Sequence, residues 1–505
     1  MDNAFEKRNK IRQAATFLLT LLISLVFVLM FTRAFNPFLT MRGGDSAIFR
    51  YVGKVWANGG MPYVDAFDHK GPLIFLINMI PYFFTQSSWG VIAMQVLFLV
   101  PTLLLVLKTA DLLFDGKTGT GWLFTLVFLS YLGFCYDGGN RVECYGALFD
   151  AIALLLFVKY ARSESEDVPV SYSFTLGALF ALQCMLRANN AVTVAGVAAV
   201  AGGWLIIKKR IKTLFVTILF FILGFLSVCV PFVVYFLANG AFMDFLNGTL
   251  LYNISYMENS DMENFFILRA AHLIILYAAP CLVCLFAGIF TLRKGKNKDG
   301  QKKQDRLFAA FIFVFLIISL IYLFSGKRLY THYFIVLAVP VVFGTMLALR
   351  VLIAGVKDRK KAVMCTTLGV AVVFLSVCSF MILRDRESFA VWRSPSMEEN
   401  CTRIVRQIPQ EDLSDVVAWT RHVEFYHFTG IIAPFRHCFW QEQRAEVNAQ
   451  ITEEIIEYFT DTPPRYFVVE ANWYTPTVEE VRTVIETRYT LIDSNEQFNL
   501  FRLND

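Results

Sequence analysis

Charged side chains that could act on a phosphate-linked substrate recur in five short polar segments of the chain. These segments are Gly43–Ser46, Asp65–Pro72, Asp137–Glu143, Arg187–Asn190 and Lys327–Tyr333. Carboxylates or cationic side chains occur in each of them. A carboxylate can take the proton from an attacking hydroxyl. Lys and Arg can bind a phosphate and stabilise the charge that develops on a leaving group. The residue types therefore predict group transfer from a phosphate-linked lipid.

The composition is that of a membrane protein. Of the 505 residues, 56% are hydrophobic and only 17% are charged, compared with roughly 25% charged residues in soluble domains. This excludes a soluble enzyme, and the apolar content excludes a disordered chain. The formal net charge of +5 does not indicate nucleic acid as a partner, because an excess of Lys and Arg in a membrane protein usually reports its orientation.

Eleven apolar stretches approach or reach the roughly 20 residues that a helix needs to cross a bilayer. They are centred in 14–33, 86–107, 119–136, 144–161, 172–187, 190–207, 213–239, 266–292, 307–325, 332–355 and 362–383. The first is too long for the core of a signal peptide, so we interpret it as a retained anchor. The sequence thus predicts an all-α polytopic bundle of about eleven transmembrane helices.

Lys and Arg set the expected orientation of this bundle, since cytoplasmic loops are enriched in them. They cluster at the N-terminus and after every second predicted helix, which places the N-terminus in the cytoplasm of a multi-pass plasma (inner) membrane protein and residues from 384 onward outside. Eight cations fall on the outer side against this bias: Arg42, Arg50, Lys54, Lys70, Arg141, Arg187, Lys327 and Arg328. We expect the five polar segments to meet over one cavity at the outer face.

Two domains are predicted. Residues 1–385 form the transmembrane domain, with a first outer loop at 34–85, and residues 390–505 form a small extracytoplasmic α/β domain. Within the loop, residues 46–58 have the pattern of a helix lying in the membrane interface, and 72–84 are apolar but too short to span. In the C-terminal domain, spacing predicts helices around 447–459 and 478–485 and strands at 466–469, 489–492 and 498–503. A disulfide between Cys401 and Cys438 is left open.

The first loop resembles that of the GT-C class of membrane glycosyltransferases. The resemblance rests on Asp45 before an amphipathic helix, on Pro62-Tyr63-x-Asp65-x-Phe67-x-x-Lys70-x-Pro72, and on Arg328 to Tyr333 late in the chain. The nearest groups are the bacterial protein mannosyltransferase-like proteins, the aminoarabinose transferases of lipid A and the rhizobial core transferases. Such enzymes transfer a sugar, with inversion, from a polyprenyl phosphate to an acceptor outside the membrane. Asp45 is followed by Ser46 rather than by the second acid of the mannosyltransferases.

The resemblance also implies roles for single residues. Asp45 matches the catalytic Asp of the first loop, Lys70 matches the lysine that contacts the lipid phosphate, and Glu143 matches a second acidic residue. We therefore expect Asp45 to act as general base, with Glu143 orienting the acceptor or sharing that role. The residues expected to hold the phosphate are Lys70, Arg187, Arg328 and His332, supported by Asp68, Arg141 and Tyr333. No cofactor is required and no metal-ligand cluster is visible, although magnesium or manganese could bridge carboxylate and phosphate.

Structural roles remain open for the same residues. Asp45 could cap its helix, Lys70 could extend to the lipid head groups, and Glu143 could favour a helix N-terminus through its charge. Arg141 and Arg187 could bind head groups, and His332 could be satisfied by a backbone carbonyl. His69 and Asp65 are interpreted as turn or supporting residues.

Two other functions compete with glycosyl transfer. One is a flippase or transporter of lipid-linked sugars, although no internal repeat is found. The other is a noncatalytic receptor whose outer domain binds a partner. As an enzyme, the protein would bind a polyprenyl-phosphate sugar, membrane lipids and an extracytoplasmic lipid, glycan or protein acceptor.

Overall fold

The computed structural model describes residues 2–33, 44–115, 120–258, 273–294, 302–325, 330–384, 397–471 and 476–504. Up to residue 384, the helices are α1 (Asp2–Phe31), α2 (Asp45–Ala57), α3 (Pro72–Met79), α4 (Trp89–Phe114), α5 (Thr120–Cys135), α6 (Val142–Arg162), α7 (Val170–Leu186), α8 (Val192–Ile207), α9 (Ile211–Ala238), α10 (Phe242–Leu246), α11 (Tyr252–Glu258), α12 (Ala279–Lys294), α13 (Lys302–Ser325), α14 (Ala338–Leu352) and α15 (Arg359–Arg384). Short 3-10 or π-helical turns at 80–83, 188–191, 247–251, 273–278, 331–337 and 353–355 connect or extend them.

The predicted polytopic bundle is confirmed. Seven helical segments of the described residues are long and apolar enough to cross a membrane. They lie in α1, α4, α8, α9, α12, α13 and α14. The other four predicted spans coincide with α5, α6, α7 and α15. Each of the eleven apolar stretches found in the sequence is therefore helical over most of its length.

The chain divides into two compact units. The helical unit comprises Met1–Thr32, Ile92–Phe232 and Asp261–Arg386, and the α/β unit comprises Arg33–Val91, Val233–Ser260 and Glu387–Asp505. The first loop and the segment after α9 thus group with the C-terminal domain rather than with the bundle.

Small residues allow close helix packing in the helical unit. A Cβ built on Gly177 of α7 would collide with the carbonyl of Phe221 in α9, and one on Gly224 of α9 would collide with the carbonyl of Phe174 in α7. The two backbones therefore approach one another at a pair of glycines, a common arrangement in membrane helices because small residues permit close contact.

The C-terminal part of the α/β unit is built on a four-stranded sheet. Its elements are α16 (Met397–Val405), β1 (Val416–Trp419), α17 (Glu424–Thr429), α18 (Gln441–Val447), α19 (Ala449–Asp461), β2 (Tyr466–Glu470), α20 (Glu479–Arg488), β3 (Tyr489–Ser494) and β4 (Phe498–Leu503). The strand order is β1-β2-β4-β3, with β1 and β2 parallel and the other pairs antiparallel. The sequence predicted three of the strands and missed β1, which is short and fully buried.

The core of this unit includes residues from the first loop. Trp419, Ile455 and Phe467 pack in one hydrophobic cluster with Phe67 of the first loop and Tyr252 of α11. Phe67 and Tyr252 contact one another with ring centroids 5.3 Å apart. The backbone N–H of Phe67 also donates to the carbonyl of Arg436, at 3.0 Å. The loop is therefore fixed by burial in the C-terminal domain.

The helix predicted over residues 46–58 is present as α2, and two of its cationic side chains contact protein groups. Within α2, Arg50 is buried, and the ammonium of Lys54 donates to the carbonyls of Tyr426, Gly430 and Ile431 at 2.6 to 3.2 Å. These carbonyls lie in and just beyond α17, where a cation is favourable because the last carbonyls of a helix are unpaired. Burial, with a smaller contribution from Arg50, lowers the pKa of Lys54 to about 8.

Candidate functional site

The motif that ends in Lys70 folds into a tight loop. The Oδ2 of Asp65 accepts from the backbone N–H of Met61 at 2.6 Å, and Tyr63 adopts a positive φ of 71°. The buried phenol of Tyr63 donates to the carbonyl of Lys70 at 2.8 Å. Helix α3 begins directly afterwards, with Gly71 as its N-cap and Pro72 as its first residue, the position where proline is best tolerated. The motif residues thus fix the backbone position of Lys70.

The side chain of Lys70 is buried, with 8% of the residue exposed. Its Nζ lies 2.7 Å from Nε2 of His69. An ammonium can only donate, so Nε2 is the acceptor in this contact. The Nδ1 atom lies 3.6 Å from Oδ1 of Asp68. The alternative in which Lys70 extends to lipid head groups is therefore wrong.

Asp68 and Asp45 lie close to this lysine. Burial raises the pKa of Asp68; Lys70 and Arg444 oppose this shift, and the charge of Asp45 adds to it. Asp45 is the first residue of α2 and is partly exposed, whereas the N-cap is Gly44, at φ 75° and ψ −158°. Asp45 is therefore not the helix cap. It lies at the positive end of α2, a favourable place for an anion.

Arg444 is a residue of this site that the sequence did not reveal. Its guanidinium donates to the carbonyl of Phe67 at 2.7 Å and lies 5.2 Å from the centre of the Phe67 ring. It is 6% exposed, and its charge acts on Asp68. Phe67 and Arg444 are 377 positions apart in the chain, and no local pattern marks a contact at that separation.

In the helical unit, Glu143 pairs with Arg187. Glu143 lies in the first turn of α6 and Arg187 is the C-cap of α7. Nη1 of Arg187 donates to Oε1 of the buried Glu143 at 3.2 Å. The guanidinium also lies over the ring of Tyr333, 4.1 Å from its centre. Arg187 is thus held between an acid and an aromatic ring, so a role limited to head-group contact does not fit. The charge of Glu143 also favours the N-terminus of α6.

A left-handed turn holds a second charge cluster in this unit. Asp137, Gly138, Gly139 and Asn140 all have positive φ, between 48° and 83°, which Asp, Asn and Gly tolerate better than other residues. The Oδ2 of Asp137 lies 2.8 Å from Nδ1 of His332 and accepts from Nη2 of Arg141 at 2.9 Å.

These contacts settle the alternatives for two residues. The partner of His332 is a carboxylate, so the expected backbone carbonyl is wrong. The guanidinium of Arg141 binds Asp137 and only 12% of its side chain is exposed, so a role limited to lipid head groups does not fit.

The predicted site residues thus form two groups, one in each unit. Asp45, Asp68 and Lys70 lie together in the α/β unit. Arg141, Glu143, Arg187, His332 and Tyr333 lie in the helical unit. Arg328 lies outside the described residues. Within the described part of the chain, no three His, Cys, Asp or Glu side chains are grouped so that they could hold a metal ion.

Comparison with known proteins identifies the fold. Residues 6–383 match the family model described as "competence-induced protein Ccs4 N-terminal domain", whereas no curated protein matches the chain significantly. The structure is similar to ArnT from Cupriavidus metallidurans bound to undecaprenyl phosphate, with a TM-score of 0.60 and 12% identity over 96% of this chain and 97% of that one. It is also similar to the apo state of the same protein, with a TM-score of 0.57 and 12% identity over 98% of each chain. The expected GT-C fold is confirmed.

Proposed function

We propose, from the premise that this chain belongs to the family of the competence-induced protein Ccs4 N-terminal domain and has the GT-C fold, that it is an inverting glycosyltransferase. It would move a sugar from a polyprenyl phosphate to an acceptor outside the membrane. The observation that carries the proposal is the grouping of the partly exposed Asp45 with the buried Lys70. The charges of both act on Asp68, which therefore lies close to each of them.

The proposed step needs only these groups and the substrates. Asp45 takes the proton from the acceptor hydroxyl as its oxygen attacks the anomeric carbon. The bond between that carbon and the phosphate oxygen breaks, and both of its electrons leave with the polyprenyl phosphate. Lys70 stabilises the charge gained by the leaving group. Asp68 and His69 hold the lysine in place, which matters because positioning supplies much of the catalysis in such a reaction.

Glu143, Arg187 and His332 are proposed to serve the same reaction. Arg187 is a fixed guanidinium at a helix end, and Arg binds phosphate oxygens in a bidentate manner. His332 is held in place by its contact with Asp137. We assign both to the donor phosphate and assign Glu143 to orientation of the acceptor. Arg328, expected to join them, keeps the same proposed role.

Comparison and charge support proposals for the lipid substrate and the location. The similar ArnT structure was determined with undecaprenyl phosphate, so we propose a polyprenyl phosphate of this kind as the carrier. We propose that the chain lies in the plasma membrane with its N-terminus in the cytoplasm, because Lys and Arg are enriched in the predicted inside loops. The acceptor is then an extracytoplasmic lipid, glycan or protein.

Purified protein in nanodiscs tests this function directly. Undecaprenyl phosphate carrying a radiolabelled sugar is supplied with envelope extract as acceptor, and release of free undecaprenyl phosphate is measured. We expect Asp45→Asn to lower the rate by about a hundredfold or more, because removal of one such group costs roughly 3–4 kcal/mol of barrier. The matched control is Asp65→Asn, which keeps the acceptor for the N–H of Met61 and should retain activity.

Two outcomes would refute the proposal. A wild-type protein that translocates the loaded lipid without releasing undecaprenyl phosphate is a flippase. Near-normal release by Asp45→Asn removes Asp45 from the mechanism.

A further inference from the structure

The α/β unit contains a cavity of about 250 Å³ that lies beside the loop of Lys70. Three segments line it: the first loop, residues 244–255, and residues 436–454 of the C-terminal domain. Its volume is just below the roughly 300–1,000 Å³ of pockets that bind drug-sized ligands. The cavity therefore has room for one small cyclic group and not for a lipid tail or an oligosaccharide.

The charges of the cavity lining disfavour an anion. The guanidinium of Arg436 donates to Oδ1 of Asp244 at 2.8 Å and, through Nη2, to Oε2 of Glu454 at 2.6 Å. His437 donates to the same Oε2 at 2.9 Å, and burial lowers its pKa to about 4, so it is neutral at pH 7. One cation then faces two carboxylates. A phosphate, sulfate or carboxylate would meet a net negative charge, whereas an uncharged or cationic ligand would not.

The remaining lining combines apolar surface with hydrogen-bonding groups. Phe67 and Tyr252 supply apolar surface, and the side chains of Asn247 and Ser255 add an amide and a hydroxyl. Nδ1 of the buried His437 has no hydrogen-bond partner within the described part of the chain. Amide, hydroxyl and imidazole groups beside aromatic rings match a ligand with several hydroxyls and an apolar face. A sugar ring has this chemistry.

The cavity is also close to the lysine assigned to the phosphate. The ring of Tyr252 lies 5.3 Å from that of His69, and Nε2 of His69 lies 2.7 Å from Nζ of Lys70. The amide of Asn253 additionally donates to the carbonyl of His69 at 2.9 Å. A group bound against Tyr252 in the cavity is thus separated from Lys70 by the side chains of Tyr252 and His69.

We propose that this cavity binds one sugar residue, uncharged or amine-bearing, of a substrate. The proposal rests on the proposed function, because a glycosyltransferase has a sugar on its donor and, for a glycan or glycolipid, on its acceptor. The carboxylates and Arg436 shape the pocket and exclude anionic sugars. Asn247, Ser255 and His437 recognise hydroxyls, and the ring of Tyr252 contacts the apolar face.

Binding to the full-length protein in nanodiscs tests this. Saturation-transfer NMR is recorded with methyl β-D-glucopyranoside, methyl β-D-galactopyranoside, methyl β-D-glucosaminide and inorganic phosphate as separate probes. We expect at least one glycoside to bind and phosphate not to compete. The double variant Asn247→Leu with Ser255→Ala should weaken binding by about tenfold or more, since two hydrogen bonds are lost. Glu164→Gln, an exposed change in the helical unit, should leave glycoside binding unchanged.

Displacement separates the two sources of the sugar. If undecaprenyl phosphate that carries the same sugar displaces the glycoside, the cavity holds the donor sugar. If it does not, the cavity holds a sugar of the acceptor. The proposal is overturned if none of the glycosides binds, if the double variant binds them normally, or if bare undecaprenyl phosphate displaces them. Each of these results is independent of the transfer assay on Asp45→Asn, so failure of one proposal is distinguishable from failure of the other.

Discussion

The carboxylate of Glu143 binds Arg187 through only one of its oxygens. Oε1 accepts from the guanidinium at 3.2 Å, whereas Oε2, which is equally buried, has no hydrogen-bond partner among the described residues. A buried ionised oxygen without a partner is costly. The arrangement therefore leaves one acceptor available for a substrate hydroxyl, in agreement with the role proposed for Glu143.

Replacing Glu143 by Gln should impair turnover more than substrate binding. Gln keeps an oxygen for Arg187 but loses the charge that orients an attacking hydroxyl, so we expect kcat to fall by about a hundredfold, the effect of removing one electrostatic catalytic group. The rate at which undecaprenyl phosphate is released at saturating substrate gives kcat. Glu164→Gln, an exposed change just beyond α6, is the control. A kcat within about threefold of wild type would contradict the role.

Changing Lys70 to Met should alter lipid affinity, whereas changing Lys54 to Met should alter stability. Lys70→Met removes the ammonium assigned to the lipid phosphate, so the Kd for undecaprenyl phosphate should rise about ten- to hundredfold, the loss expected for a charged hydrogen bond. Lys54→Met removes the donor to three carbonyls and should lower the melting temperature without changing this Kd. Equal affinity of Lys70→Met and wild type in microscale thermophoresis would argue against phosphate binding.

Stability should fall on mild acidification because of His437. Burial lowers its pKa to about 4, and the carboxylate of Glu454 opposes the shift while Arg436 and Arg444 add to it. The unfolded imidazole, with a pKa of about 6.5, binds a proton that the folded one does not. The free energy of unfolding should therefore decrease by about 2 kcal/mol from pH 7 to pH 5.

Chemical unfolding of the full chain, followed by tryptophan fluorescence at both pH values, measures this dependence. His437→Gln keeps a donor for Glu454. It should remove the part of the pH dependence of the free energy of unfolding that comes from this histidine. The histidine does not control the dependence if the variant and wild type lose the same stability between pH 7 and pH 5.

Cys401 and Cys438 should remain reduced in the native protein. Both thiols are buried and unbonded in the structure. Burial raises the pKa of both and brings that of Cys438 to about 11. The thiolate is the reactive form, so iodoacetamide should label neither until the chain is denatured, and dithiothreitol should not change the melting temperature. Mass spectrometry of a non-reducing digest checks this, and a peptide that links the two cysteines would be the contrary result.

The sequence by itself determined the membrane bundle and the residue types of the site. Apolar stretches about as long as a bilayer is thick have no alternative to the helix, because backbone groups in lipid must be satisfied within the segment. The motif from Pro62 to Pro72 likewise marked Lys70. Periodicity also predicted most of the C-terminal elements, since Ile451, Ile455 and Phe459 repeat at the spacing of one helix face.

Only the tertiary structure decided which residues surround these groups. Arg444 acts on Asp68 from the C-terminal domain, and Phe67 and Tyr252 complete a core that the sequence assigned to residues after 390. Lys54 belongs to the packing of α2, not to a site. Asp137 became the partner of His332 and Arg141 because a left-handed turn brings its carboxylate there. Such contacts join residues far apart in the chain, and they depend on packing, which no local pattern of residues encodes.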